Sequence, residues 1–331
     1  AGKPVVTANK ELLANVGSEL ADAAEAAGVD LLYEAAVAGG IPFIRPLRES
    51  LVGEPISRIM GIVNGTTNYI LSQMDTEGVS YADALASAQS LGYAERDPTA
   101  DVEGFDAAAK AAIIASIAFG ARVVAGDVAH EGISDVSAAD ISFARRLGYT
   151  IKLLAICERF DDGSIAARVH PAIVRADPPL SGVRDSYNAV FVEGDVVGNL
   201  MFYGRGAGGG PTASAVLGDV IDAAANLARG THASVGHLAK AQLRSVDDLS
   251  SPYYVNVEVR DRPGVLAEVA SVFGSHGVSI RSMEQEGLGD DARIVFITHD
   301  ATERDVQACL SDLRRLDTVA RVASVLRVVA E

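Results

Sequence analysis

The stretch LGYAERDPTADVEGFDAAAKAAIIASI, Leu91 to Ile117, sets the terms for the rest of the chain. It opens as a loop with four acids in nine positions, Glu95, Asp97, Asp101 and Glu103. It continues as a helix, expected over Phe105 to Phe119, that is apolar almost all the way round. Only Asp106 and Lys110 carry charge within that helix. Four residues apart, they share a face, and Ile113, Ile114 and Ile117 continue the stripe. A helix hydrophobic on every side is normally buried, and a buried charge must be paired or used. A plain salt bridge at a helix end would account for the pair. A buried lysine facing an acidic loop reads better as a catalytic group, because burial and neighbours tune its proton affinity.

Upstream, Pro4 to Thr7 is a short β-branched run, and Asn9 is placed to cap a helix running from Lys10 to about Ala27. Asp30 to Tyr33 follows as a second strand. Strand, helix, strand at this spacing is half of a parallel α/β unit, whose ligands gather at the carboxyl ends of the strands. Lys10 and Glu34 both fall there, although a lysine in a first turn is often simply solvated. The chain opens at Ala1 directly on this pattern, so the beginning of the α/β unit is expected to precede it. After Glu34, the loop Val37-Ala38-Gly39-Gly40-Ile41-Pro42 offers carbonyl oxygens. With the Glu34 carboxylate these suit a hard cation, while a turn with a capping glutamate is the simpler reading.

Downstream elements follow from local pattern. Ile56 to Val63 reads as a strand, and Asn64-Gly65-Thr66-Thr67-Asn68 as a turn into a helix from Tyr69 to Thr76, capped by threonine. That loop gathers two amides and two hydroxyls, which suits a small polar substrate. Ser134 to Ile156 reads as mostly helical, ending in IKLLAI, with strands near Ala166–His170 and Ala189–Glu193. His170, before Pro171, reads as a structural strand-end residue. A strand at Leu200–Tyr203 leads to Gly204-Arg205-Gly206-Ala207-Gly208-Gly209-Gly210 and a helix from Thr212 to about Ala228. Gly204, Gly206 and Gly209 satisfy G-x-G-x-x-G, but no strand ending in an acid follows about 20 residues on. The loop therefore reads as backbone that approaches a ligand at a helix N-terminus rather than as the main cofactor motif.

Arg244 to Pro252 is polar and reads as a linker. Beyond it come a strand at Tyr253–Val259, the turn Asp261-Arg262-Pro263-Gly264 and a helix at Val265–His276. Strands at Val278–Glu284 and Ala292–His299, a helix at Thr302–Leu313 and a strand within Val319–Val329 complete β-α-β-β-α-β, a ferredoxin-like module. The backbone N–H groups of Gly264 and Val265, at a helix N-terminus beside Asp261, suit an amino-acid carboxylate.

Composition bounds the whole. The 331 residues allow two or three domains, and 49% hydrophobic with 22% charged residues describes a globular protein. A net charge of −16 argues against nucleic acid and anionic membranes as partners. Cys157 and Cys309 have no metal-ligand spacing and read as reduced core thiols of a cytoplasmic protein. No apolar run reaches the roughly 18 residues of a membrane helix.

GKPVVTANK, EAAVAGGIP, GIVNGTTNYIL, GYAERDPTADVEGFDAAAK and GAGGGPTASAVLGDV, in this order, resemble homoserine dehydrogenase over roughly Ala1 to Leu243. VRDRPGVLAEVASVFGSHGVSIRSM is similar to an ACT domain, an amino-acid-sensing module. The resemblance implies an α/β and α+β protein in parts. Residues 1–34 would be the remnant of a Rossmann-like nucleotide-binding domain. Residues 35–243 would be a mixed-sheet catalytic and dimerisation domain, with 204–228 returning to the cofactor side. Residues 244–252 would be the linker and 253–331 the ACT domain. The family's N-terminal dinucleotide fingerprint would lie before Ala1.

The resemblance also implies the chemistry: reduction of L-aspartate 4-semialdehyde to L-homoserine with NADPH or NADH. Lys110 would be the catalytic lysine, and Lys10 a second one beside the nicotinamide and the reacting oxygen. Two such ammonium groups are expected to depress each other's proton affinity. Glu95 and Asp106 would bind substrate, with Asp101 assisting at its amino group, while Asp97 and Glu103 are left to capping and solvation. Gly208 would lie against the cofactor. Glu34, with the carbonyls of Val37, Gly39 and Ile41, would hold a structural sodium ion. L-Threonine would be the effector at Asp261, Gly264 and Val265, in a homodimer or homotetramer. The competing reading is a non-catalytic amino-acid sensor on a degenerate dehydrogenase scaffold, against which both lysines and the intact acidic loop argue.

Overall fold

The computed structural model describes residues 2–176, 179–287 and 292–329. Ala1 and residues 330–331, at the edges of the expected first and last domains, lie outside them. The first elements are β1 (Val5–Val6), α1 (Lys10–Ala27), β2 (Leu31–Leu32), β3 (Ile56–Ile62), α2 (Gly65–Glu77), α3 (Tyr81–Ser90), α4 (Thr99–Val102) and α5 (Phe105–Phe119). Then come β4 (Ala121–Arg122), β5 (Ala129–His130), α6 (Ala138–Arg146), β6 (Tyr149–Arg159), β7 (Ile165–Arg175), β8 (Tyr187–Gly194), β9 (Gly198–Arg205) and α7 (Gly209–Arg229). The last are β10 (Ala239–Lys240), β11 (Ser250–Ser251), β12 (Tyr253–Val259), α8 (Val265–Ser275), β13 (Ile280–Glu286), β14 (Ala292–Thr298), β15 (Ala301–Thr302), α9 (Glu303–Leu313) and β16 (Val319–Val329).

These elements form two compact units. One comprises Ala1–Ser134, Leu153–His170 and Gly182–Leu243; the other comprises Asp135–Lys152, Pro171–Ser181 and Arg244–Glu331. In the first, β1 and β2 pair in parallel, Val5 opposite Leu31, with α1 between them in sequence. Asn9 caps α1 as expected, its side chain accepting the Leu12 N–H, and Gly28 closes the helix at φ +59°. The larger sheet of this unit runs antiparallel from β9 through β8 and β3 to β6.

α5 spans Phe105 to Phe119 as read, and its alanines and isoleucines are buried through Ala115. The expectation for IKLLAI was wrong. It lies in β6, where Ile151 to Cys157 are all buried. A strand buried on both faces reads as a continuous apolar run, which periodicity cannot tell from a buried helix. His170 is not at a strand end either, because β7 continues through Pro171 to Arg175.

In the second unit the strand order β13-β14-β12-β16, antiparallel throughout, is that of a ferredoxin-like module. Tyr253, Val255, Val257 and Val259 alternate into a core with Val269, Phe273, Phe296, Leu310 and Leu313. Arg244 to Pro252 is no free linker. Ser250 and Ser251 pair antiparallel with Thr302 and Ala301, and Leu249 is buried with its carbonyl accepting the Glu303 N–H. A polar composition concealed this because the pairing uses backbone, not side chains.

The same unit takes in α6. Asp140 is 1% exposed, and its Oδ1 accepts from Tyr254 Oη at 2.9 Å, Asn256 Nδ2 at 3.0 Å and Ser324 Oγ at 2.5 Å. Its Oδ2 completes a capping box with Ser137 at the start of α6. A buried carboxylate with this many donors fixes α6 against the strands that carry them.

Candidate active site

Three charged side chains meet at the start of α5. Asp106 is 7% exposed. Its Oδ2 lies 2.7 Å from Lys110 Nζ and its Oδ1 2.8 Å from Lys10 Nζ. The helical spacing brings Lys110 over Asp106, and the cap of α1 delivers Lys10 from the other side. Lys110 Nζ also donates to the Val63 carbonyl at 2.7 Å. The simple helix pair is therefore present, but as one arm of a Lys–Asp–Lys bridge built from two distant helices.

Burial alone would raise the Asp106 carboxyl, but Lys110 and Lys10 outweigh it and hold the group at about 2. Asp106 is thus a permanent anion between two ammonium groups. Burial would likewise lower Lys10; Asp106 beside it, with Glu11 and Asp101 farther off, wins and raises it. This corrects the expectation that the lysines depress each other: at Lys10 the intervening carboxylate decides the sign.

The acidic loop divides as the residue types allow. Asp101 joins the cluster, its Oδ1 accepting from Asn64 Nδ2 at 2.7 Å, and the same nitrogen donates to Asp106 Oδ2 at 2.8 Å. Asp97 is exposed and accepts the N–H and hydroxyl of Thr99 in a local turn, while Pro98 stands at the N-cap of α4. Glu103 accepts from Ser134 Oγ. Glu95 is exposed, and its carbonyl accepts from Gln89 Nε2. The structure thus assembles Lys10, Asp101, Asp106 and Lys110, and leaves Glu95 at the surface of the loop.

Asn64 belongs to the loop whose amides and hydroxyls suit a small polar substrate, and the structure brings it, of that loop, onto the two carboxylates. It was taken as part of a turn before a threonine cap, whereas α2 begins at Gly65 and Asn64 itself is the cap, accepting the Thr67 N–H at 2.9 Å. Asparagine among the preferred capping residues was the available signal.

The glycine loops pack against one another. Gly40 N–H donates to the Arg205 carbonyl at 3.2 Å. Gly39, at φ +52°, has no room for a side chain: a Cβ there would stand 2.1 Å from the Gly206 carbonyl oxygen. A Cβ on Gly206 would stand 2.1 Å from Cγ of the buried Asn188. Packing therefore explains part of the G-x-G-x-x-G match. α7 begins at Gly209, three residues before the expected Thr212, with Gly208 as its N-cap at φ +119°. Added Cβ atoms on Gly209 or Gly210 would meet nothing within 4 Å, so the first turn of α7 presents open backbone suited to an anionic cofactor group.

Glu34 does what the simpler reading asked. Its Oε1 accepts the N–H groups of Phe43 at 2.5 Å and Ile44 at 2.8 Å, and its Oε2 that of Arg45 at 2.7 Å. Three amide donors converge on this carboxylate, so it caps the turn. Among the described residues no group of three His, Cys, Asp or Glu side chains is placed to hold a metal. Asp219 of α7 accepts the Glu34 N–H at 2.8 Å and pairs with Arg45 at 3.1 Å, which ties α7 to this turn.

In the second unit, Gly264 caps α8 at φ +96° and Asp261 is exposed, accepting from Gln285 Nε2 at 3.3 Å. Val265 departs from expectation. Its N–H already donates to the Arg262 carbonyl at 3.2 Å, closing the turn, and its side chain is in the core. No helix among the described residues is long and apolar enough to cross a membrane.

Known proteins bear on this geometry. Residues 42–221 match the family model described as homoserine dehydrogenase, and residues 253–318 match that of the ACT domain. The chain is 55% identical to a homoserine dehydrogenase of Corynebacterium glutamicum over 333 residues, 99% of this chain and 75% of that protein. It is 54% identical to one from Mycobacterium tuberculosis over 337 residues, 98% of this chain and 76% of the relative. A crystal structure of a homoserine dehydrogenase from Thiobacillus denitrificans superposes with a TM-score of 0.94 at 40% identity, covering 99% of this chain and 77% of that one. A hyperthermophilic archaeal homoserine dehydrogenase in complex with NADPH superposes at 0.59 with 34% identity, covering 67% of this chain and 64% of that one. The chain therefore belongs to the homoserine dehydrogenase family, NAD(P)-dependent oxidoreductases, and carries an ACT domain at residues 253–318.

Proposed function

We propose that this chain interconverts L-aspartate 4-semialdehyde and L-homoserine, with Lys110 as the proton donor to the carbonyl oxygen. The observation that carries this reading is the Lys10–Asp106–Lys110 bridge. A nicotinamide cofactor supplies the hydride that adds to the aldehyde carbon, and the first turn of α7 with Gly208, together with Lys10, would hold it. As that carbon is reduced, its oxygen gains negative charge and takes a proton from Lys110 Nζ; water restores the proton to the lysine. Lys10 stays charged and stabilises the same developing charge.

Asp106, already bonded by two lysines and an amide, orders the donors. Asp101, bonded at one oxygen by Asn64, has the freer carboxylate for the substrate's α-ammonium, with Glu95 approaching from the exposed loop. Because that ammonium meets the half-buried Asp101 carboxylate, 4-hydroxybutyrate, which lacks it, should be a poorer substrate than L-homoserine by about 100-fold or more in kcat/KM. Following reduced cofactor with both alcohols tests this, and comparable rates would refute the substrate assignment.

The ACT domain argues for an amino-acid effector, and we place L-threonine at Asp261 and the open end of α8 beyond Gly264. Asp261→Ala should relieve threonine inhibition and leave uninhibited turnover within about twofold; inhibition that persists would move the effector elsewhere. The expected homodimer or homotetramer is a matter for light scattering.

A further inference from the structure

A buried amide sits between the two carboxylates of the charged cluster. Asn64 is 5% exposed, and its Oδ1 accepts the Thr67 N–H at 2.9 Å and the Thr67 hydroxyl at 3.1 Å. That fixes the side chain and leaves Nδ2 facing Asp101 Oδ1 at 2.7 Å and Asp106 Oδ2 at 2.8 Å. An amide nitrogen carries two hydrogens, so each carboxylate receives one. The two carboxylate oxygens are therefore no farther apart than the sum of those distances, close enough to repel. Asp106 has Lys10 and Lys110 to compensate it. Asp101 has no side-chain donor other than Asn64 among the described residues.

We infer that Asn64 is a positioning residue for substrate: it holds the Asp101 carboxylate in place beside Asp106, so that the α-ammonium of L-homoserine meets a preset Asp101. This rests on the functional reading above. The cap of α2 thereby becomes part of the active site. A rotation of Asn64 that freed Thr67 would also release Asp101, and so the helix start and the binding geometry are set by one side chain. The preceding residue contributes in the same way, since the Val63 carbonyl holds Lys110 Nζ at 2.7 Å.

Capping and positioning are separable by substitution. Serine caps a helix about as well as asparagine but is too short to bridge two carboxylates. If Asn64 only caps α2, Asn64→Ser should bind substrate like the parent. As a positioning residue, its loss removes two charge-assisted hydrogen bonds. L-Homoserine affinity by calorimetry, and KM for L-homoserine, should then weaken by about 10-fold or more. KM for the nicotinamide cofactor should stay within about twofold. Asn64→Asp keeps the capping oxygen but turns an acceptor toward two carboxylates, and should weaken binding further.

Asp101→Asn supplies a check independent of how well either variant folds. In that background the Asn64→Ser change should matter less, because one of the two bonds it removes, the one to Asp101, has already lost its charge. Unaltered L-homoserine affinity in Asn64→Ser, or equal effects of Asn64→Ser with and without Asp101, would overturn the inference. A parent protein that fails to bind or oxidise L-homoserine would sink the functional reading and this inference with it.

Discussion

At the scale of single residues, Asp106 determines what its neighbours can do. Held at about 2, it contributes stability that is complete above its ordinary value of 3.8 and is lost as pH falls from there toward its folded value. Lys10 is raised above 10.5, so its contribution is complete below that value and lost as pH rises through the folded one. The bridge is therefore intact across the neutral range and fails first in acid. Asp106→Asn should flatten the fall in thermal stability below about pH 4; a curve as steep as the parent's would show that other carboxylates govern acid unfolding. Gly39 is fixed by sterics instead. Gly39→Ala puts a Cβ into the Gly206 carbonyl at positive φ and should cost about 2 kcal/mol or more in urea denaturation. The charged residues of the cluster were legible in sequence, since aspartate and lysine four apart in an apolar helix demand an explanation. Asn64 was legible as part of a polar, substrate-suited loop but not in its partners, because nothing in an Asn-Gly turn says which two carboxylates its amide will reach.

At the scale of elements, helices announced themselves better than strands. α1 has its Asn9 cap and boundaries, and α5 its boundaries and apolar character, stated directly in sequence. β6 was misread because burial on both faces erases the period of two. The role of α6 was invisible for another reason: Asp140 is an ordinary capping aspartate in sequence, and its three further donors arrive from β12 and β16, more than a hundred residues away. Asp140→Ala strips a buried tyrosine, a buried asparagine and a half-buried serine of a shared acceptor and removes the Asp140 half of the α6 capping box, leaving the Ser137 cap. It should destabilise the protein by about 3 kcal/mol or more, measured by chemical denaturation. A loss under about 1 kcal/mol would mean that water replaces the carboxylate and that the contact is peripheral.

At the scale of the whole chain, the division into units ran differently from the expectation. Segments 135–152 and 171–181 belong with the ACT strands rather than with the residues around them, and 244–252 is built into the same unit. Contacts between segments distant in sequence decide such boundaries, which polar linker composition cannot reveal. The family, by contrast, was legible from five motifs in order, and the fold confirms it through the module order and the matched relatives. The central claim is that the lysine bridged to Asp106 from within α5 delivers the proton. The most direct test is kcat for L-homoserine oxidation by Lys110→Met at saturating substrate and cofactor, with folding verified by circular dichroism. A fall of about 100-fold or more, with L-homoserine still bound, is the predicted result. A folded variant that turns over at the parent's rate would contradict it and shift the proton transfer to another group.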